Sequence, residues 1–128
     1  MSDARPRVLV VDDEPINRRV VARILGRAGY DVVLAADGID ALEILERDGA
    51  DAVLLDLVMP RLDGAETCRR IRASRPRLPV LMLSAMGDEE TRARAEDAGV
   101  DALLEKPVVG ADLVARLQAA LAARGSGP

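Results

Sequence analysis

Asp12, Asp13, Asp56, Ser84 and Lys106 are the residues of this chain whose types and placement could do chemistry, and each lies at the end of an apolar run. Three carboxylates gathered in one cleft would repel one another and raise at least one of their pKa values. A divalent cation removes that penalty. Carboxylate oxygens, a backbone carbonyl and waters are the ligands Mg2+ prefers, and it leaves positions open for a phosphate oxygen. With no histidine in the chain and no cysteine beside these segments, the donors do not suit zinc. Taken alone, Asp12-Asp13 also reads as a solvated acidic pair. Matching residues after three further apolar runs weigh against that.

Two absences narrow the chemistry. Without histidine there is no Ser-His-Asp hydrolysis, no His-metal site and no phosphohistidine within this chain. There is one lysine, Lys106, against seventeen arginines. Either an ammonium is needed at that place, or an arginine-biased composition left one lysine by chance.

The elements that must position these residues follow from the apolar pattern. Val8 to Val11 is a continuous apolar run, suited to a strand buried on both faces. Pro15 then marks a first helical turn, an apolar stripe of Val20, Val21, Ile24, Leu25 and Ala28 follows, and Gly29 ends it. The alternation continues with strands at Asp31–Ala35, Ala52–Leu55, Val80–Leu83 and Ala102–Leu104. Helices are expected at Ile39–Arg47, Ala65–Ala73, Glu89–Ala98 and Ala111–Ala123. Five strand–helix repeats mean an α/β fold, a doubly wound five-stranded parallel sheet with helices on both faces. Right-handed crossovers leave few strand orders, of which 2-1-3-4-5, the flavodoxin-like order, is common.

The 128 residues (13.6 kDa, 49% apolar) make one domain, expected over residues 1–123, with a disordered Gly/Ser/Pro-rich tail at 124–128. A net charge of −4 argues against a nucleic-acid-binding surface. No apolar run approaches the ~20 residues of a membrane span. The polar start, Met1 to Arg7, lacks a secretory pattern, and a lone cysteine fits a reducing, cytoplasmic location.

In open α/β sheets, ligands bind beyond the carboxyl ends of the strands where strand order reverses. With order 2-1-3-4-5, strands one and three are neighbours there. Asp12, Asp13 and Asp56 then share one pocket, flanked by Ser84 and Lys106.

The motifs at these ends are VLVVDDEP (Val8 to Pro15), VLLDLVMPRLDG (Val53 to Gly64), VLMLSA (Val80 to Ala85) and EKP (Glu105 to Pro107). In that order and spacing they resemble the receiver domain of bacterial two-component response regulators, over about residues 7 to 123. The resemblance implies that Asp56 is the phosphoacceptor and that Asp12 and Asp13 hold Mg2+, with Asp56 and the Val58 backbone carbonyl completing the protein ligands. By similarity, Asp13 ligates directly and Asp12 largely through water. It further implies that the Ser84 hydroxyl and the Lys106 ammonium engage the phosphoryl group, and that the Lys106–Pro107 bond is cis. The implied donor is a phosphohistidine on a histidine kinase or a histidine phosphotransfer protein. The chain is then no enzyme beyond its own phosphorylation and dephosphorylation, and a monomer or weak homodimer. That chemistry suits the residue types: a carboxylate can attack phosphorus, and Mg2+ with an ammonium neutralises anion meeting dianion. A compact ammonium fits such a site better than a wide guanidinium.

The chain departs from the family at three places. Leu103 stands where many receivers carry a switch aromatic, so coupling is expected to run through Ser84, the loop after strand four and helix four, whose candidate inner face is Thr91, Ala95 and Ala98. Val58 and Met86, two residues past Asp56 and Ser84, are apolar, which implies slow loss of the phosphoryl group. The sequence stops after helix five, which fits either a stand-alone receiver that signals by docking or a piece of a longer protein, and DDEPIN (Asp12 to Asn17) is similar to receivers fused to hybrid histidine kinases. Pro60 and Gly64 read as turn punctuation, Cys68 as a small core residue, Tyr30 as packing at a helix–strand corner, and Glu14 as either near the metal or a helix N-terminal acid. Two other readings share the fold. A haloacid-dehalogenase-type phosphohydrolase needs an aspartate two residues after its nucleophile, where this chain has Val58. A flavodoxin-like ligand-binding module needs a Ser/Thr/Gly-rich phosphate loop and stacking aromatics, against Asp-Asp-Glu-Pro and one tyrosine.

Overall fold

Runs of Val, Leu and Met without polar alternation can be satisfied only between two helical layers, and the chain places them there. The computed structural model describes residues 5–59, 63–85 and 88–126. In chain order the elements are β1 (Arg7–Val11), α1 (Pro15–Arg27), β2 (Asp31–Ala35), α2 (Gly38–Arg47), β3 (Ala52–Asp56), α3 (Gly64–Ser74), β4 (Val80–Ser84), α4 (Glu89–Ala98), β5 (Ala102–Glu105) and α5 (Gly110–Ser126). The strands form one parallel sheet in the order β2-β1-β3-β4-β5, as expected. Every residue of β3 and β4 is buried, while β2 at the edge is only partly covered. In register, Val11 lies beside Leu55 and Asp56 beside Leu83, so the strand ends that carry the polar residues are level.

Alternate side chains enter two layers. Leu9, Val11, Val53, Leu55, Val80 and Met82 pack with α2, α3 and α4. Val8, Val10, Leu54, Leu81 and Leu83 pack with α1 and α5 through Val21, Leu25, Leu113 and Leu117. Each large side chain so buried stabilises the fold by about 1.5–3 kcal/mol. Cys68 and Tyr30 are both core residues. Helix α4 contributes only Thr91, Ala95 and Ala98 to its buried face, as expected. No helix among the described residues is long and apolar enough to cross a membrane.

Side-chain chemistry sets the helix starts. Asp37, Asp63 and Asp88 each accept a backbone N–H three residues on, the N-cap arrangement. Gly29, Gly49 and Gly99 take positive φ at turns after helices. Two expectations need correction. Val20 is half exposed, because α1 shares its face of the sheet with α5 and buries only Val21 and Leu25 fully. Helix α5 runs through Ser126, so residues 124–126 of the supposed tail are helical. Glycine weakens a helix by about 1 kcal/mol without removing a hydrogen-bond donor, and the stop signal in the sequence is the Pro128 ring two residues further on. Residues 127–128 lie outside the described residues.

Arginine side chains bind the amino-terminal edge of the sheet. Arg72 of α3 donates to the carbonyl of Gly99 at 2.8 Å, to that of Leu78 and to the Asp101 carboxylate at 2.7 Å. Asp101 in turn accepts the Val80 N–H at 2.8 Å. Arg75 donates to the Leu45 carbonyl at 2.7 Å, and Asp51 accepts the Arg7 N–H at 2.7 Å.

Candidate functional site

At the opposite edge, β1 and β3 are neighbours whose connections leave to opposite faces, α1 to one and α3 to the other. That divergence opens a cleft. Asp12 continues the β1 ladder by donating its N–H to the Ala35 carbonyl at 3.2 Å. Its Oδ1 accepts the Glu14 N–H at 2.9 Å, which turns the chain into α1 and leaves Asp13 facing solvent. Arg18, one turn into α1, donates to the Asp12 carbonyl at 2.6 Å. Asp56 ends β3, and both it and Asp12 are buried.

The carboxylate oxygens of Asp12, Asp13 and Asp56 approach one another within 4.8 Å. Lys106 Nζ lies 3.2 Å from Asp56 Oδ2 and 3.5 Å from Asp12 Oδ2. The Lys106 backbone N–H donates to the Ser84 carbonyl at 2.8 Å, and the Lys106–Pro107 bond is cis. Ser84, buried, therefore stands against the same strand end that delivers the ammonium. A cleft of about 440 Å³, reaching from Asp12 and Asn17 to Lys106 and Val108, runs alongside.

Three carboxylates and one ammonium leave the cluster with excess negative charge. Burial pushes the Asp56 carboxyl above its usual range; Lys106 pulls it back, the Asp12 charge pushes it up again, and hydrogen bonds from Lys106 and the Val58 backbone oppose the rise. A hard dication suits this donor set. The groups are all oxygens, they are close enough to share one ion, and the net charge is wrong for any anion in the ion's absence.

The structure thus brings Asp12, Asp13, Asp56 and Lys106 together, with Ser84 beside them. Val58 follows on the rim, 67% exposed. Leu103 is not in this cluster: it is half-buried and packs against the layer that holds Ala95 and Ala98 of α4. Met86, like Pro60, lies outside the described residues. Glu14 occupies the N-cap position of α1 without a side-chain capping bond. Sequence reading missed two contributors. Arg18 is one of seventeen arginines and nothing in the sequence singles it out. Gly64 reads in the sequence as turn punctuation, whereas its backbone lies against the end of β3, where an added Cβ would overlap the Asp56 carbonyl.

A parallel sheet in this order, with an acidic cluster and a lysine at its switch point, defines the receiver class of signalling domains. The chain belongs to that family: the model of the response regulator receiver domain matches residues 8–118. It is 45% identical over 115 residues to the response regulator MprA of Mycobacterium leprae, a match covering 90% of this chain and 50% of that protein. The chain therefore spans about half the length of the curated relatives it matches. Among solved structures, the chemotaxis protein CheY4 of Vibrio cholerae superposes with a TM-score of 0.87 at 32% identity, covering 91% of this chain and 99% of that one. The receiver domain of NtrX from Brucella abortus gives 0.85 at 35% identity, covering 90% and 98%. The chain is thus a receiver domain of two-component signal transduction, and neither the phosphohydrolase nor the flavin-type reading is favoured.

Proposed function

We propose that Asp56 accepts a phosphoryl group from a phosphohistidine on a histidine kinase or phosphotransfer protein. An Asp56 carboxylate oxygen attacks phosphorus, the new O–P bond forms as the N–P bond breaks, and the electron pair returns to the donor's imidazole. Asp12, Asp13, Asp56 and the Val58 carbonyl would hold Mg2+, which supplies neutralisation of charge when bound. Lys106, 3.2 Å from Asp56 Oδ2, exchanges its carboxylate contact for a phosphoryl oxygen, and Ser84 offers a hydroxyl to a second. The observation that carries this reading is the ligand set itself: three carboxylates lie within 4.8 Å of one another, and two of them, Asp12 and Asp56, share one ammonium, from the only lysine of the chain.

Phosphorylation then shifts α4 and the segment before it. A helix anchored by a threonine and two alanines opens at low cost. The apolar Val58 and Met86 slow the loss of the phosphoryl group, and the protein works in the cytoplasm, catalysing no reaction but its own modification. The likeness of DDEPIN to hybrid-kinase receivers supports relay to a phosphotransfer protein.

The test is incubation with a small-molecule phosphodonor and Mg2+. Intact mass is expected to rise by one phosphoryl group in wild type and not in Asp56→Asn. Uptake by the variant would place the acceptor elsewhere. Amide chemical shifts in α4 are expected to move with a phosphoryl mimic, and Val58→Asn to hasten decay.

A further inference from the structure

Gly64 opens α3, and its position is set by space, since its φ is not in the left-handed range. Its N–H donates to the Leu57 carbonyl at 2.8 Å. A Cβ built there would overlap the Asp56 carbonyl oxygen and lie 2.7 Å from Leu57 Cα. Those are backbone atoms and cannot rotate aside. Two other helical glycines differ: at Gly26 nothing stands within 4 Å, and at Gly110 the nearest atom is a side-chain carbon of Ile24 at 3.6 Å.

Neither neighbour of that contact yields easily. The end of β3 is held on one side by β1 and on the other by β4, where Leu57 donates to the Leu83 carbonyl at 3.0 Å. Helix α3 is held by Ala65, Cys68 and Ile71, all buried against the sheet. The overlapped atoms belong to Asp56 and Leu57 themselves, so the overlap bears directly on the turn Asp56-Leu57-Val58, which carries both the acceptor carboxylate and the Val58 carbonyl.

We infer that Gly64 is a positioning residue for Asp56: its bare backbone is the stop against which the acceptor turn rests. This rests on the phosphoacceptor reading of Asp56. A side chain at 64 tilts the carboxylate and the carbonyl away from a shared ion, and a displacement of about 1 Å at a reacting group can cost about 100-fold in rate.

Four proteins test it: wild type, Gly64→Ala, Gly26→Ala and Ile71→Val. Ile71→Val loses methylene packing in the same helix, two turns away, and serves as the merely destabilised control. Mg2+ affinity is read by titrating amide shifts, and the rate of phosphoryl uptake from a small-molecule donor by intact mass. Gly64→Ala is expected to weaken Mg2+ binding about tenfold and slow uptake about 10- to 100-fold, while the two controls stay within about twofold of wild type. A folded Gly64→Ala that matches wild type in both readouts overturns the inference. Should that variant not fold, hydrogen exchange on wild type decides: the Gly64 amide is expected to be as protected as that of Leu57, and exchange as fast as an exposed loop amide overturns the inference. If wild type itself neither binds Mg2+ nor gains mass, the phosphoacceptor reading fails first and Gly64 has nothing to position.

Discussion

The two edges of the sheet use charge in opposite ways. At the amino-terminal edge each acid described meets a donor: Asp101 takes Arg72 and the Val80 N–H, and Asp51 takes the Arg7 N–H. Arg72 alone ties α3 to the starts of β4 and β5 and to the end of α4. At the carboxyl edge, Asp12, Asp13 and Asp56 crowd within 4.8 Å of one another against a single ammonium. One edge uses ions to hold the chain; the other accepts electrostatic strain that a ligand can relieve. Marginal domains tolerate such a site because the opposite edge and the core supply the stability it gives up.

The contrast breaks most visibly at Lys106. Lys106→Met is expected to slow phosphoryl uptake at least about 100-fold, and to lower thermal stability as well, because the buried Asp12 and Asp56 lose their counter-charge; uptake within a few-fold of wild type would deny the ammonium its role. Next in size is the amino edge. Arg72→Ala removes the donor to the Gly99 and Leu78 carbonyls and the ion pair with Asp101, which keeps the Val80 N–H, at a cost of roughly 2–3 kcal/mol in urea unfolding, and leaves Mg2+ affinity untouched. The third is metal linkage: Mg2+ at ten times its Kd is expected to stabilise wild type by about 1.4 kcal/mol. Asp13→Asn, at an exposed position, should abolish that gain while leaving the metal-free protein nearly unchanged.

Fourth is the pH dependence at Asp56. Burial raises its folded pKa above the usual 3.8, so the stability tied to its proton is complete below the unfolded value and is lost as pH climbs through the folded one. Without Mg2+, Asp56→Asn is therefore expected to be more stable than wild type at neutral pH, by on the order of 1 kcal/mol. The two unfolding curves should converge in acid below the usual carboxylate range. A variant less stable than wild type at pH 7 would mean that its contacts with Lys106 outweigh desolvation. The smallest effect belongs to the surface pair between α4 and the cap of α3, Arg94 to Asp63 at 3.1 Å. Arg94→Ala should cost a few tenths of a kcal/mol and quicken hydrogen exchange in α4 alone.

How far the sequence could be read follows the same division. β1, β3 and β4 are legible because burial on both faces leaves unbroken apolar runs. Asp12, Asp13, Asp56 and Lys106 are legible because each closes such a run, and the strand order brings the ends level. What escapes is what depends on distance across elements. The overlap that forbids a side chain at Gly64 involves Asp56, eight positions earlier, and cannot be told from a turn preference. Arg18 reaches the Asp12 carbonyl from a helix carrying four arginines, none distinguished by spacing. Val20 follows the helical period of α1 yet sits at the cleft, because α1 covers only part of its face of the sheet.

The scarcity of lysine has a practical side. Apart from the amino terminus, an amine-directed reagent has one target on this chain, and that target sits between Asp12 and Asp56 with 22% of its side chain exposed. Acylation there would erase the positive member of the cluster in a single covalent event. The extent of labelling, read by mass, would serve as a gauge of whether the cleft is filled.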